Sequence, residues 1–168
     1  REPGGSTTAE EIRNLIFSKK SKKFDKLTDF YLMIAARNEH VKKTLLVAKK
    51  QKKIVISDRF IDSTYAYQVI GNKIDKKINQ LNQKYILGDF KPNLTIILKA
   101  NFNTIYTRIK KRKNNNKFDE LKKNFYKKAQ NAYLSLANKK KNYLVFDSSK
   151  NNTELEKKIF NIVLNKIK

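Results

Sequence analysis

The feature that most constrains this chain is the alternation of short β-branched runs with longer helical stretches. Three runs, "KKIVIS" just before Asp58, "LTIILK" over 94–99 and "YLVF" over 143–146, are apolar on both faces. That pattern fits strands buried in a parallel sheet better than half-exposed ones. Helical periodicity fills the intervals, over 8–17, 28–50, 62–70, 75–87, 103–113, 119–138 and 153–167. Thr28 is the expected cap of the long second helix. Strands alternating with helices predict an α/β domain, and 168 residues suffice for one such domain with a real core. In open parallel sheets ligands sit beyond the carboxyl ends of the strands. That rule singles out Asp58 with Arg59, and Asp147 with Ser148 and Ser149.

Charge is the loudest compositional signal: 39 lysines and arginines against 15 carboxylates give a formal net charge of +24. So basic a surface attracts polyanions, and a nucleic-acid-binding module using "KKRKNNNK" and the interleaved Phe and Tyr is one reading. It leaves the motifs below unexplained. The lysines are spread along the chain among abundant Asn and Ile, the mark of a coding bias rather than a patch, so no nucleic-acid partner is expected. No 20-residue apolar run occurs, so no membrane partner is expected either. The lack of cysteine and of a signal-peptide pattern suits a cytoplasmic protein.

Only six of the basic residues are arginine: Arg1, Arg13, Arg37, Arg59, Arg108 and Arg112. A planar guanidinium grips a phosphate or a base edge through parallel hydrogen bonds, which lysine cannot do. In "SDRFIDSTYAYQ", Asp58 suits a magnesium-bound water and Arg59 a phosphoryl oxygen. Thr64, Tyr67 and Gln68 follow on one helix face with Ser63 beside them, an arrangement able to read the polar edge of a base. The same letters also suit an amphipathic helix capped by Asp62. In "LMIAARNEHV", Met33 and Arg37 lie one turn apart, a flat apolar surface beside a guanidinium. His40, the only histidine, reads as a surface or partly packed residue. "REPGG" supplies Arg1 and Glu2 ahead of a turn in which Gly4 and Gly5 allow positive φ, and Arg13 on the next helix is placed to reach a phosphate. Arg108 and Arg112 are a like-charge i, i+4 pair that disfavours its helix unless an anion sits between them. With "NNN" behind them, they suggest a basic lid over 108–125 that closes on phosphates.

Taken in order, "REPGG…EEIR", "AARNEHV", "SDRFIDSTYAYQ" and "LGDFKPNLTIIL" resemble the motifs of bacterial thymidylate kinases, across essentially the whole chain. The resemblance implies a P-loop kinase-like, three-layer α/β/α fold with a parallel sheet. It implies transfer of the γ-phosphoryl of ATP to dTMP with Mg2+, and a homodimer. Arg13 and Arg59 would hold the dTMP phosphate, with Arg59 also facing the transferring phosphoryl. Arg37 would bond to a thymine carbonyl, while Met33, Ser63, Thr64, Gln68 and Glu2 complete the acceptor pocket. Asp58 would support the metal through water. Arg108, Arg112 and Lys117 would cover the ATP phosphates, and Asp147 with Ser148 would lie at the adenine.

The chain departs from the family at Met33, where a phenylalanine is common, and at Lys117, where an arginine is common. No G-x-x-x-x-G-K-[ST] occurs; the glycines are Gly4, Gly5, Gly71 and Gly88. The expectation is therefore of a fragment whose first strand and phosphate-cradling loop lie elsewhere, which alone neither folds stably nor turns over. A naturally short, non-catalytic nucleotide-binding paralogue is the alternative. The residues also leave dUMP open as acceptor.

Overall fold

The computed structural model describes residues 1–18, 24–111, 121–150 and 152–167. Eight α-helices and two strands follow in the order α1 (Thr7–Phe17), α2 (Lys26–His40), α3 (Leu46–Lys50), α4 (Ile61–Thr64), α5 (Lys76–Leu87), β1 (Thr95–Lys99), α6 (Phe102–Lys110), α7 (Lys123–Ala137), β2 (Tyr143–Asp147) and α8 (Thr153–Ile167). Single π turns, Val41–Leu45 and Tyr65–Gly71, continue α2 into α3 and extend α4. Such π segments are frequent near functional sites. β1 and β2 pair in parallel, with Thr95 opposite Tyr143 and Lys99 opposite Asp147. This agrees with the expected α/β class.

Local chemistry explains the helix starts. Ser6 caps α1 by accepting from the Ala9 amide. Asp25, not Thr28, caps α2: its carboxylate accepts from the Leu27 and Thr28 amides at 2.7 and 3.0 Å and from the Thr28 hydroxyl. A carboxylate reaches the free amides of a first turn and also favours the positive helix end, so it outcompetes a hydroxyl inside the turn. Phe60 precedes α4, and Asp62 within the first turn accepts instead from the Tyr143 hydroxyl at 2.8 Å.

Packing follows the apolar faces. α1 lies on α2, burying Ala9 and Ile16 against the helix that buries Phe30 and Ile34. The Tyr65–Gly71 turn meets α7 through small residues, Ala66, Ala129 and Ala132. A side chain at Gly71 would overlap the Phe125 ring, so the two helices approach as closely as glycine allows. α7 also supports the sheet, where Gln130 Oε1 accepts from the Ala100 amide at 3.1 Å.

One expected strand does not form. Residues 53–57 carry no strand pairing; Ile54 and Ile56 are 63% and 85% exposed. A strand exists only through its neighbours' hydrogen bonds, and none of the described residues offers this segment a ladder. On the sheet itself only Ile97 is buried, while Leu98 is 56% exposed. The segment is anchored at its end, where the Glu2 amide donates to the Asp58 carbonyl at 2.9 Å.

Candidate active site

The opening turn is fastened from several directions. Arg13 Nη1 donates to the Pro3 carbonyl at 2.7 Å, the Gly5 amide donates to Glu10 Oε1 at 3.0 Å, and the Thr44 hydroxyl donates to the Gly5 carbonyl at 2.7 Å. Gly4 and Gly5 take φ of 122° and 97°, and the Glu2–Pro3 peptide is cis. The turn thereby brings Arg1, Arg13 and the Asp58–Arg59 corner together.

That corner is strongly cationic. Partial burial, then the like charge of Arg1 and of Arg59, hold the Arg13 guanidinium below its ordinary pKa, against the opposing pull of Glu10 and Asp58. The Arg13 head also lies 4.6 Å over the Phe17 ring. Arg59 has φ 66°, a left-handed backbone that a non-glycine residue adopts rarely and that concentrates at functional sites. Its side chain is exposed in area, yet its head sits among protein groups, 5.1 Å over the Tyr67 ring. Burial lowers the Arg59 pKa, but Tyr67, Tyr133 and Asp58 outweigh it and the net direction is up. Burial in turn pushes the Tyr133 phenol up to about 12. Arg59 thus stays cationic beside the Tyr67 ring.

Behind this corner lies a buried polar cluster. Arg37 is 4% exposed and donates through Nε to Glu2 Oε2 at 2.8 Å, through Nη1 to Thr64 Oγ1 at 2.8 Å and through Nη2 to the Phe60 carbonyl at 3.2 Å. The Phe60 ring covers the same guanidinium at 5.7 Å. Gln68, 3% exposed, makes no side-chain hydrogen bond among the described residues. Among the described residues no fully occluded side-chain nitrogen or oxygen lacks a partner, so this amide keeps an opening. Met33 is half-buried on the same helix as Arg37. Ser63 is engaged by the Tyr133 hydroxyl at 2.7 Å. Glu2 and Thr64 are therefore tied to Arg37, and Ser63 to Tyr133.

At the far end, Arg108 Nη2 donates to the Ser148 carbonyl at 2.7 Å. The loop after β2 folds over the start of α6: the Ser148 hydroxyl donates to the Lys99 carbonyl and the Asn101 amide to Ser149 Oγ. Bonds from Ser149 hold the Asp147 carboxyl below its usual pKa. Between loop and helix lies a hollow of about 500 Å³ lined by Asn103, Thr104, Thr107, Arg108, Lys111 and Ser149. Arg112 and Lys117, and most of the lid expected over 108–125, fall outside the described residues. Among the described residues no group of three or more His, Cys, Asp or Glu gathers to hold a metal. Asp58 stands as a single exposed carboxylate beside the arginines. One carboxylate fits a magnesium ion whose remaining ligands are water and substrate phosphate.

Sequence reasoning missed two members of the site. His40 is not at the surface: it is 4% exposed with Nδ1 3.0 Å from Glu2 Oε1. Its i+3 spacing from Arg37 was the available signal. Tyr133 joins Ser63 across 70 positions of sequence, which no local pattern announces.

A cationic corner of Arg13 and Arg59 beside Asp58, a buried polar cluster around Arg37, and Arg108 against the loop that follows β2 together suit a nucleotide-handling phosphotransferase. The sequence pattern of the family "Thymidylate kinase" matches residues 1–159. The chain is 36% identical over 171 residues to the thymidylate kinase of Mycoplasma capricolum subsp. capricolum, covering 100% of this chain and 80% of that protein. It is 40% identical over 153 residues to that of Mycoplasma genitalium, covering 89% and 71%. Its fold is similar to the crystal structure of the thymidylate kinase from Ehrlichia chaffeensis, with TM-score 0.75 and 28% identity over 98% of this chain and 78% of that one. The chain belongs to the thymidylate kinase family. No helix among the described residues is long and apolar enough to cross a membrane.

Proposed function

We propose that the chain binds dTMP as phosphoryl acceptor and ATP as donor, and serves the formation of dTDP in the cytoplasm, where ATP is supplied. The observation that carries this reading is the shared electrostatic neighbourhood of Arg1, Arg13, Arg59 and Asp58. Three guanidinium groups against the two carboxylates Asp58 and Glu10 leave a net positive charge that a dianionic phosphate relieves. Arg13 and Arg59 take the acceptor phosphate. Arg37, Gln68 and Met33 take the base, with Glu2, Thr64 and Ser63 ordering that pocket from behind. Arg108 and Ser148 border the donor side, together with Asp147, Arg112 and Lys117. Asp58 would hold Mg2+ through water, and the ion would neutralise charge on the donor phosphates.

The open apolar segment 53–57 and the exposed Leu98 support a second part of the reading, that a further parallel strand with a phosphate-cradling loop completes the site. A homodimer belongs to the same reading; Leu27 and Tyr31, exposed one turn apart on α2, are the surface it would use. The test is calorimetric titration of the chain with dTMP, thymidine and AMP, followed by dTDP formation from ATP. Binding of dTMP well above both controls supports the acceptor assignment, and equal binding of all three overturns it. Turnover is expected only when a strand carrying G-x-x-x-x-G-K-[ST] is present.

A further inference from the structure

One buried side chain joins the Pro-Gly-Gly turn to the acceptor pocket without a task in the chemistry above. His40 Nδ1 lies 3.0 Å from Glu2 Oε1. An ionised carboxylate only accepts, so Nδ1 carries the hydrogen and His40 donates. The second oxygen, Glu2 Oε2, accepts from Arg37 Nε at 2.8 Å. Glu2, Arg37 and His40 are each 4% exposed and Thr64 is 2% exposed, so no bulk water competes for these groups. Of the guanidinium's N–H bonds, those used by Glu2, Thr64 and the Phe60 carbonyl leave one on each terminal nitrogen.

The plane of Arg37 is thus set by Glu2 together with Thr64 and the Phe60 carbonyl, and the plane of Glu2 by donors on both its oxygens. With one donor gone, the carboxylate is free to turn about its last bond, and the Nε restraint on the guanidinium loosens, leaving only Thr64 and the Phe60 carbonyl to hold it. His40 is itself seated: a side chain at Gly5 would overlap its Cδ2 and Nε2, and Gly5 is held by Glu10 and Thr44. The turn, the histidine, the carboxylate and the arginine form one connected support drawn from the chain start, α2 and α4.

We propose that His40 is a positioning residue: by donating from Nδ1 to Glu2 it locks the carboxylate that aligns the Arg37 guanidinium for the acceptor base. This rests on the reading of Arg37 as the group that meets the base. Two readouts on the 168-residue chain separate the two ideas: the exchange-protected Arg37 Nε–H signal by 15N NMR, and dTMP affinity by calorimetry. His40→Leu keeps the volume and removes the donor, while His40→Asn places an amide N–H near the site of Nδ1.

In His40→Leu the Arg37 signal should broaden or lose protection and dTMP affinity should fall about tenfold. His40→Asn should keep the signal and return affinity to within about threefold of the parent. An unchanged Arg37 signal in His40→Leu overturns the positioning role. A lost signal with unchanged dTMP affinity shows that Arg37 is ordered by His40 but does not read the base, which overturns the acceptor assignment and the proposal with it. Should His40→Leu not fold, His40→Gln keeps a polar side chain and moves its amide toward the site of Nε2, away from Nδ1. The Arg37 signal should then broaden, and its persistence overturns the proposal equally.

Discussion

Gly5 is the place where a single methyl group tests the site's construction. Its φ of 97° lies where L side chains are strained, and a Cβ there would overlap the His40 ring. Gly88 is a built-in control: φ is 52°, and nothing stands within 4 Å of the added atom. Gly88→Ala therefore carries the backbone cost alone, about 1–2 kcal/mol. Gly5→Ala carries a similar cost and also pushes a buried, hydrogen-bonded ring, which adds about 1–3 kcal/mol as overpacking does elsewhere. The Gly5 variant should thus be roughly 2–5 kcal/mol less stable than the parent. With a urea slope of about 2 kcal/mol/M, its midpoint falls by roughly 1–2.5 M, against about 0.5–1 M for Gly88→Ala. Urea unfolding followed by far-UV circular dichroism at several protein concentrations measures both. Equal shifts in the two variants would refute the steric part, and with it the claim that His40 is seated on Gly5.

Two further outcomes follow from the charge and burial of the site. Arg13→Ala should weaken dTMP binding by roughly 10- to 100-fold and leave thymidine affinity unchanged, because a charge-assisted bond to phosphate is worth about 1.5–3 kcal/mol; a matching loss for thymidine would sink the phosphate assignment. Tyr133, pushed up to about 12 by burial, binds its proton more tightly folded than unfolded, so its contribution is present below the unfolded pKa of about 10 and is lost as pH rises through about 12. Ultraviolet phenolate titration should show a late-titrating phenol that is missing in Tyr133→Phe, with Tyr143 also shifted upward by burial in both proteins, and stability should fall more steeply between about pH 10 and 12 in the parent than in that variant.

Much of this protein was legible before any coordinates. The helices came from 3.6-residue periodicity and from carboxylates in first turns, both local properties of the chain. Arginine in a lysine-rich sequence marked Arg13, Arg37 and Arg59, since the fork geometry that recommends it is a property of the residue alone. That "LTIILK" and "YLVF" are strands of a parallel sheet was implied by their two-sided apolar character, while their pairing with each other was not.

Tertiary structure decided which polar groups satisfy one another. Glu2 looks from the sequence like a ligand-facing carboxylate, but its two oxygens belong to Arg37 and His40. Ser63 looks like part of a base-reading face, and its hydroxyl is shared with Tyr133. The lone histidine, featureless in sequence, is buried at the join of three segments. Residues 53–57 read as a strand by composition and remain unpaired, because a ladder depends on a neighbour that no local pattern supplies. Periodicity and residue type determine which elements form and which side chains are chemically able. Hydrogen bonding between distant segments determines which of those side chains remain free to meet a substrate.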